Sequence, residues 1–285
     1  AQAQLQAPRL AALYAQVLES GRPVQIRTFH SWFAALLGAA PAVLLQEQGL
    51  PVRFELLEDD AQAVQEVWAP FWDRLTQSPA LHADYMAAVA RHGRSQTHKA
   101  LEAALAKRVE FALADAAGVV DASLPPFQAL DLRWRALAQP SDALDGQAAH
   151  DRWHTWSRAL GQESHKTPQK AAQAIVDAWL EPRVERRMDA LRRALFVAKE
   201  DRLSKHLEKY DAAREAEAEL QALCEAERHH QAWQHQQRMA RLTRALIEEY
   251  ASLKRRRGWI DMNDVERTAL VMLSDPVLSG WVQER

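Results

Sequence analysis

The sequence predicts a mainly α-helical protein, and three observations carry that prediction. Glycine is scarce: nine in 285 residues, where average usage would supply about twenty. Alanine, leucine, glutamate, glutamine and arginine, the better helix formers, are abundant. From Arg183 to Arg257 the chain contains neither glycine nor proline, so nothing in that run breaks a helix by backbone chemistry.

The elements follow in order. Residues 9–19 place Leu10, Leu13, Tyr14, Val17 and Leu18 at the spacing of one helical face, and Gly21 and Pro23 close that helix. In 24–29, VQIRTF, apolar and polar residues alternate, the best strand candidate in the chain. Alternation also assigns Phe29 to the core. A helix from His30 to Leu37 follows, closed by Gly38 and Pro41. Residues 41–125 read as short helices punctuated by Pro51, Pro70, Pro79 and Gly93, with Asp59 and Asp60 at a helix N-terminus, where the dipole favours acids. Trp68, Phe71 and Trp72 sit among apolar neighbours and are read as core.

Within 98–117, Leu101, Leu105, Val109 and Leu113 recur four apart on one predicted amphipathic helix. Pro125, Pro126, Pro140 and Gly146 mark a loop-rich passage, and Trp153 and Trp156 share a face of a helix over 151–160. A single helix over 183–257 would exceed about 100 Å, so the expectation is two long helices. An elbow or an exposed stretch is expected at the polar Arg228–Arg238, with the apolar pattern resuming at Met239, Leu242, Leu246 and Tyr250.

Composition limits function. The net charge of −2 means that nucleic-acid binding requires a local basic patch. One cysteine, Cys224, forms no internal disulfide and anchors no thiolate zinc site; a reducing, cytoplasmic setting is the expectation. No apolar run reaches the ~18 residues of a membrane span, so no membrane partner is expected. No phosphate-binding G-x-x-x-x-G-K-[ST] loop, no apolar strand ending in Asp-Glu, and no dinucleotide, serine-hydrolase or zincin motif occurs. No catalytic residue, cofactor site or metal site is assigned.

Two other groups can carry chemistry. His229, His230 and His235 cluster near Glu225 and Glu227, but one helix face offers at most two converging ligands, and solvated histidines are the ordinary reading. Lys254, Arg255, Arg256 and Arg257 stand together before Gly258. They are either helix-end cations that complement the dipole or contacts to phosphate.

Two stretches together resemble UvrD/Rep/RecB-like superfamily 1 DNA helicases. IRTFHSWFAALL (26–37) is similar to motif Ib of that family. YASLKRRRGWIDMNDVERTALVML (250–273) is similar to its pattern of Tyr, Lys, a basic stretch, hydrophobic-Asp-Phe-x-Asp-Leu and an Ala-Leu-x-x-Leu helix. Tyr250, Lys254, Ile260, Asp261, Asp264 and Val265 match; Met262 replaces the usual Phe and Val265 the usual Leu. RFELLEDDAQA (53–63) resembles the stretch soon after motif Ib.

The resemblance implies a segment lying between the two ATP-binding motifs, consistent with Ala1 in place of an initiator methionine. It implies incomplete α/β RecA-like flanks at both ends and a helical insertion like subdomain 1B: residues 1–58 and 250–285 as flanks, 59–249 as insertion. The long insertion is most similar to AddA and RecB helicase–nucleases. The implied function is sequence-independent DNA binding in unwinding, repair and recombination, with ATP and magnesium used by the complete protein and a second helicase–nuclease subunit as partner. Thr28 and His30 are then phosphate or sugar contacts at a strand end, Trp32 a base-packing side chain, and Arg255–Arg257, with Lys254 in the same run, backbone contacts; Asp261 and Asp264 cap the following helix. The alternative is a helical protein–protein interaction domain without enzymatic activity.

Overall fold

A computed structural model describes residues 12–13, 15–17, 19, 28–198 and 200–283. It is mainly helical, as composition predicts. The only strands among the described residues are Glu55–Leu56 and Trp259–Ile260. The strand expected over 24–29 lies largely outside the described residues, as do several positions of the helix expected over 9–19. The described end of that strand departs from expectation. Thr28 caps a helix and Phe29 is its first residue, and Phe29 is 78% exposed rather than core. The chain divides into two compact units, residues 1–72 with 248–285, and residues 73–247.

In the first unit, segments from the two ends of the chain fold together. The Phe29–Gly38 helix lies against the Met262–Ser274 helix. Leu36, Leu37, Leu44, Leu45, Val265 and Met272 are buried in the two adjoining apolar clusters. Glu55–Leu56 pairs in parallel with Trp259–Ile260, its backbone bonds running from Glu55 N–H to Gly258 O (2.8 Å) and from Leu57 N–H to Ile260 O (2.8 Å). Gly258 makes the join possible. Its φ of +71° turns the chain out of the helix ending at Arg257, and a β-carbon there would meet Arg53 O at 3.4 Å.

In the second unit the Asp211–Arg257 helix, of which residues 211–247 belong here, receives the other elements. The Gln147–Gly161, Lys166–Trp179 and Val184–Leu195 helices form one large apolar cluster with it, centred on Trp153, Leu160, Ile175, Leu191, Leu220 and Leu223. Trp153 and Trp156 share a face as expected, and their indole N–H groups donate to Glu219 (3.0 Å) and Glu215 (2.8 Å), one turn apart on the long helix.

Two expectations are corrected here. The Gly- and Pro-free run does contain two helices, but the break falls at 196–210. Arg228–Arg238 is uninterrupted helix. Its polar side chains hold neighbouring backbone: His229 Nε2 donates to Pro125 O (2.6 Å), Gln236 to Val120 O, and Gln237 to Asp121 O (3.3 Å). Further along the same helix, Arg241 grips Asp84 through two bonds (2.7 and 2.8 Å). The helix expected over 98–117 is two, Arg94–Ala106 and Arg108–Ala116. The break at Lys107 re-phases the faces, so Leu101 and Leu105 are fully buried while Leu113 is 64% exposed.

Candidate nucleic-acid interface

The sequence-derived candidates all fall in the unit formed by 1–72 and 248–285, on two elements. Thr28, His30 and Trp32 lie at the start of the Phe29–Gly38 helix. Thr28 has extended backbone (φ −71°, ψ 155°), and its hydroxyl oxygen accepts from Ser31 N–H (3.2 Å), an N-cap. His30 is therefore in the first helical turn, not at a strand end. Its Nε2 faces Glu266 Oε1 at 3.0 Å, both side chains more than half exposed. Glu266 escaped the sequence reading because nothing local links two residues so far apart in the chain. Trp32 is partly exposed and packs on Phe33, ring centroids 5.4 Å apart. The exposed Phe29 also meets the Phe33 ring, centroids 6.3 Å apart.

The four consecutive cations are not equivalent. Lys254 is buried, 7% exposed. Its ammonium lies between Asp261 Oδ2 (2.7 Å) and Asp264 Oδ2 and 5.0 Å over the Tyr250 ring. The Tyr250 hydroxyl donates to the same Asp261 carboxylate (3.2 Å). Asp261 and Asp264 also form the expected capping box of the Met262–Ser274 helix. Lys254 is thus removed from the phosphate-contacting set: its charge is spent on two carboxylates that a phosphate would have to displace. The clue in the sequence was its spacing, four residues after Tyr250 and on the same helical face.

Arg257 donates to Glu66 Oε2 (2.8 Å) and lies over the Trp259 ring (5.5 Å). The Gln62 amide, ahead of Arg257, holds the Glu66 carboxyl below its ordinary pKa. Arg256 is exposed and donates to Ser252 Oγ (2.8 Å), a neutral partner. Arg255 is exposed. Arg255 and Arg256 are the cations of the run with no carboxylate partner among the described residues, on a last helical turn whose dipole also favours positive charge.

The histidine cluster is packed rather than solvated. His230 is 9% exposed, edge-on to Phe127 and stacked on Trp233, and burial, foremost, pushes its pKa down. His235 lies against His92, ring centroids 4.4 Å apart. No group of three or more His, Cys, Asp or Glu converges on a metal position among the described residues. Cys224 is buried, which pushes its thiol up to about 11 and removes it from nucleophilic chemistry. No helix of the described residues is long and apolar enough to cross a membrane. Comparison with protein families, curated proteins and solved structures finds no match to this chain.

Proposed function

We propose that this chain is a DNA-binding and DNA-positioning segment of a UvrD/Rep/RecB-like superfamily 1 helicase or helicase–nuclease, with ATP turnover residing in the complete protein. The observation that supports this reading most is the assembly of the described parts of the two family-like stretches, 28–37 and 250–273, into one compact unit. They meet through the His30–Glu266 contact and through two helices packed on each other. In the family pattern these stretches flank a helical insertion and return to one motor domain. The parallel pairing of Glu55–Leu56 with Trp259–Ile260 agrees with that reading. A parallel pair needs a crossover connection, and all-parallel sheets occur almost only in α/β proteins with both faces covered.

In this reading Arg255 and Arg256 neutralise phosphates, Thr28 and His30 reach phosphate or sugar oxygens, and Trp32 and Phe29 offer ring faces to bases. None of these contacts distinguishes bases, so binding ignores sequence. The test is fluorescence anisotropy with labelled single- and double-stranded DNA of unrelated sequences across a salt series. Expected is weak binding that is indifferent to sequence and falls steeply with salt as counterions are released. No binding at low salt defeats the proposal and favours the helical interaction module. That second reading draws support from the exposed Phe29, Val43, Leu270 and Val277 on the same unit.

A further inference from the structure

Outside the candidate interface, facing imidazoles in the 73–247 unit include His92 with His235 and His150 with His154. His92 and His235 are the closer pair, but Arg91 and Arg238 surround them with positive charge. Burial, His92 and these two arginines together keep the His235 pKa low. A cation placed there gains little.

His150 and His154 differ in having a carboxylate, Asp151, beside them. They stand four apart on the Gln147–Gly161 helix, one turn along the same face. Their ring centroids are 5.6 Å apart and the rings perpendicular. Two imidazoles bound to one cation at about 2.0–2.1 Å put their centroids about 5 Å apart, so a small side-chain rotation closes the pair. His150 Nδ1 faces Asp151 Oδ1 at 3.4 Å, leaving Nε2 as the ligating atom. A carboxylate behind the distal nitrogen is the usual device that orients a metal-binding imidazole and raises its basicity. His154 makes no hydrogen bond among the described residues. Both rings line a half-open cavity of about 180 Å³ walled by Trp153, Ile175, Trp179 and Leu180. The Ser157 hydroxyl at its edge is engaged with Ala172 O (2.9 Å).

We infer that His150 and His154 form a two-imidazole site for a late first-row divalent cation, copper(II) foremost, with water completing the coordination in the cavity they share. Imidazole donors suit copper, nickel and zinc. Among such ions an N-donor site favours copper(II) over nickel(II) over cobalt(II), while magnesium requires oxygen donors.

The test is titration of the whole chain with copper(II) in a non-coordinating buffer, read by calorimetry and by tryptophan emission. Expected is one equivalent bound more strongly than any other, with quenching of the cavity-lining Trp153 and Trp179 and no competition from magnesium. His150→Gln and His154→Gln each abolish that equivalent while circular dichroism stays unchanged, since both side chains are at the surface. Asp151→Asn weakens it by about tenfold, and Trp179→Phe removes part of the quenching without changing affinity. A strong equivalent that survives in the His150→Gln/His154→Gln double variant, or one that disappears in His92→Gln instead, overturns the assignment.

Discussion

Lys254, Arg255, Arg256 and Arg257 are four adjacent cations with different fates, and the differences are testable one side chain at a time. Lys254→Ala leaves Asp261 without its buried counter-charge. Breaking one side of a buried pair costs about 3 kcal/mol or more, so urea unfolding of this variant should shift to markedly lower denaturant. Arg255→Ala/Arg256→Ala removes exposed guanidinium groups and should change stability by less than about 0.5 kcal/mol. The same double variant should flatten the logarithmic salt dependence of DNA binding by up to about two units; an unchanged slope returns these arginines to a helix-end role. At the start of the Phe29–Gly38 helix, Glu266→Gln removes a negative charge 3.0 Å from His30 and should strengthen DNA binding. His30→Ala should weaken it while leaving the helix intact, because Thr28 supplies the cap. Anisotropy titrations of the two variants at one salt concentration decide both points.

At the scale of the element, the Asp211–Arg257 helix shows how a polar stretch can mislead. A segment without an apolar stripe reads as exposed or bent, and Arg228–Arg238 has no such stripe. Its glutamines and His229 instead satisfy backbone carbonyls of residues 120–125, so polar side chains help to hold that stretch in place, beside the ring packing of His230 on Phe127. Ala232 is exposed within it. Ala232→Pro should therefore cost about 3 kcal/mol, the loss of an interior helical bond plus a ring clash; a flexible elbow would accept it at little cost. Amide exchange should show unbroken protection from 228 to 238. The shorter case is Lys107, where one non-helical residue turns Leu113 to solvent although its spacing matches Leu101 and Leu105.

At the scale of the whole molecule, two packed histidines of the 73–247 unit make stability sensitive to mild acid. Burial pushes the pKa values of His230 and His235 below the ordinary histidine value, against the opposing charge of Glu227 in the case of His230 and with the aid of Arg91, Arg238 and His92 in the case of His235. Both are neutral in the folded and unfolded states at pH 8. As pH falls through about 6.5 the unfolded chain takes up protons that the folded chain still refuses. The contribution of these two histidines to stability is therefore fully present above that value and is lost as pH falls below it. Urea midpoints measured from pH 8 to pH 5 should decline, and less steeply in His235→Leu; identical pH profiles for the two proteins would contradict the packing of His235.

What could be read along the chain was whatever repeats or recurs locally. The helical class, the Phe29–Gly38 helix, the shared face of Trp153 and Trp156, and the Asp261/Asp264 cap all follow from backbone propensity, from a period of 3.6 residues, or from neighbours three apart. The Lys254–Asp261–Asp264 cluster was half legible, since all three residues stand within one helix end and the next helix start, yet their burial depended on Tyr250 and on the Gly258 turn. The His30–Glu266 contact, the Glu55–Leu56 and Trp259–Ile260 pairing and the gathering of both chain ends into one unit had no local signal. Two-residue strands have no period, and their partners are chosen by the closure of a long helical excursion between them. For the same reason the sequence could show four cations in a row but not which two have no carboxylate partner among the described residues: that depends on where the carboxylates of Glu66, Asp261 and Asp264 come to rest, a matter of packing across the unit.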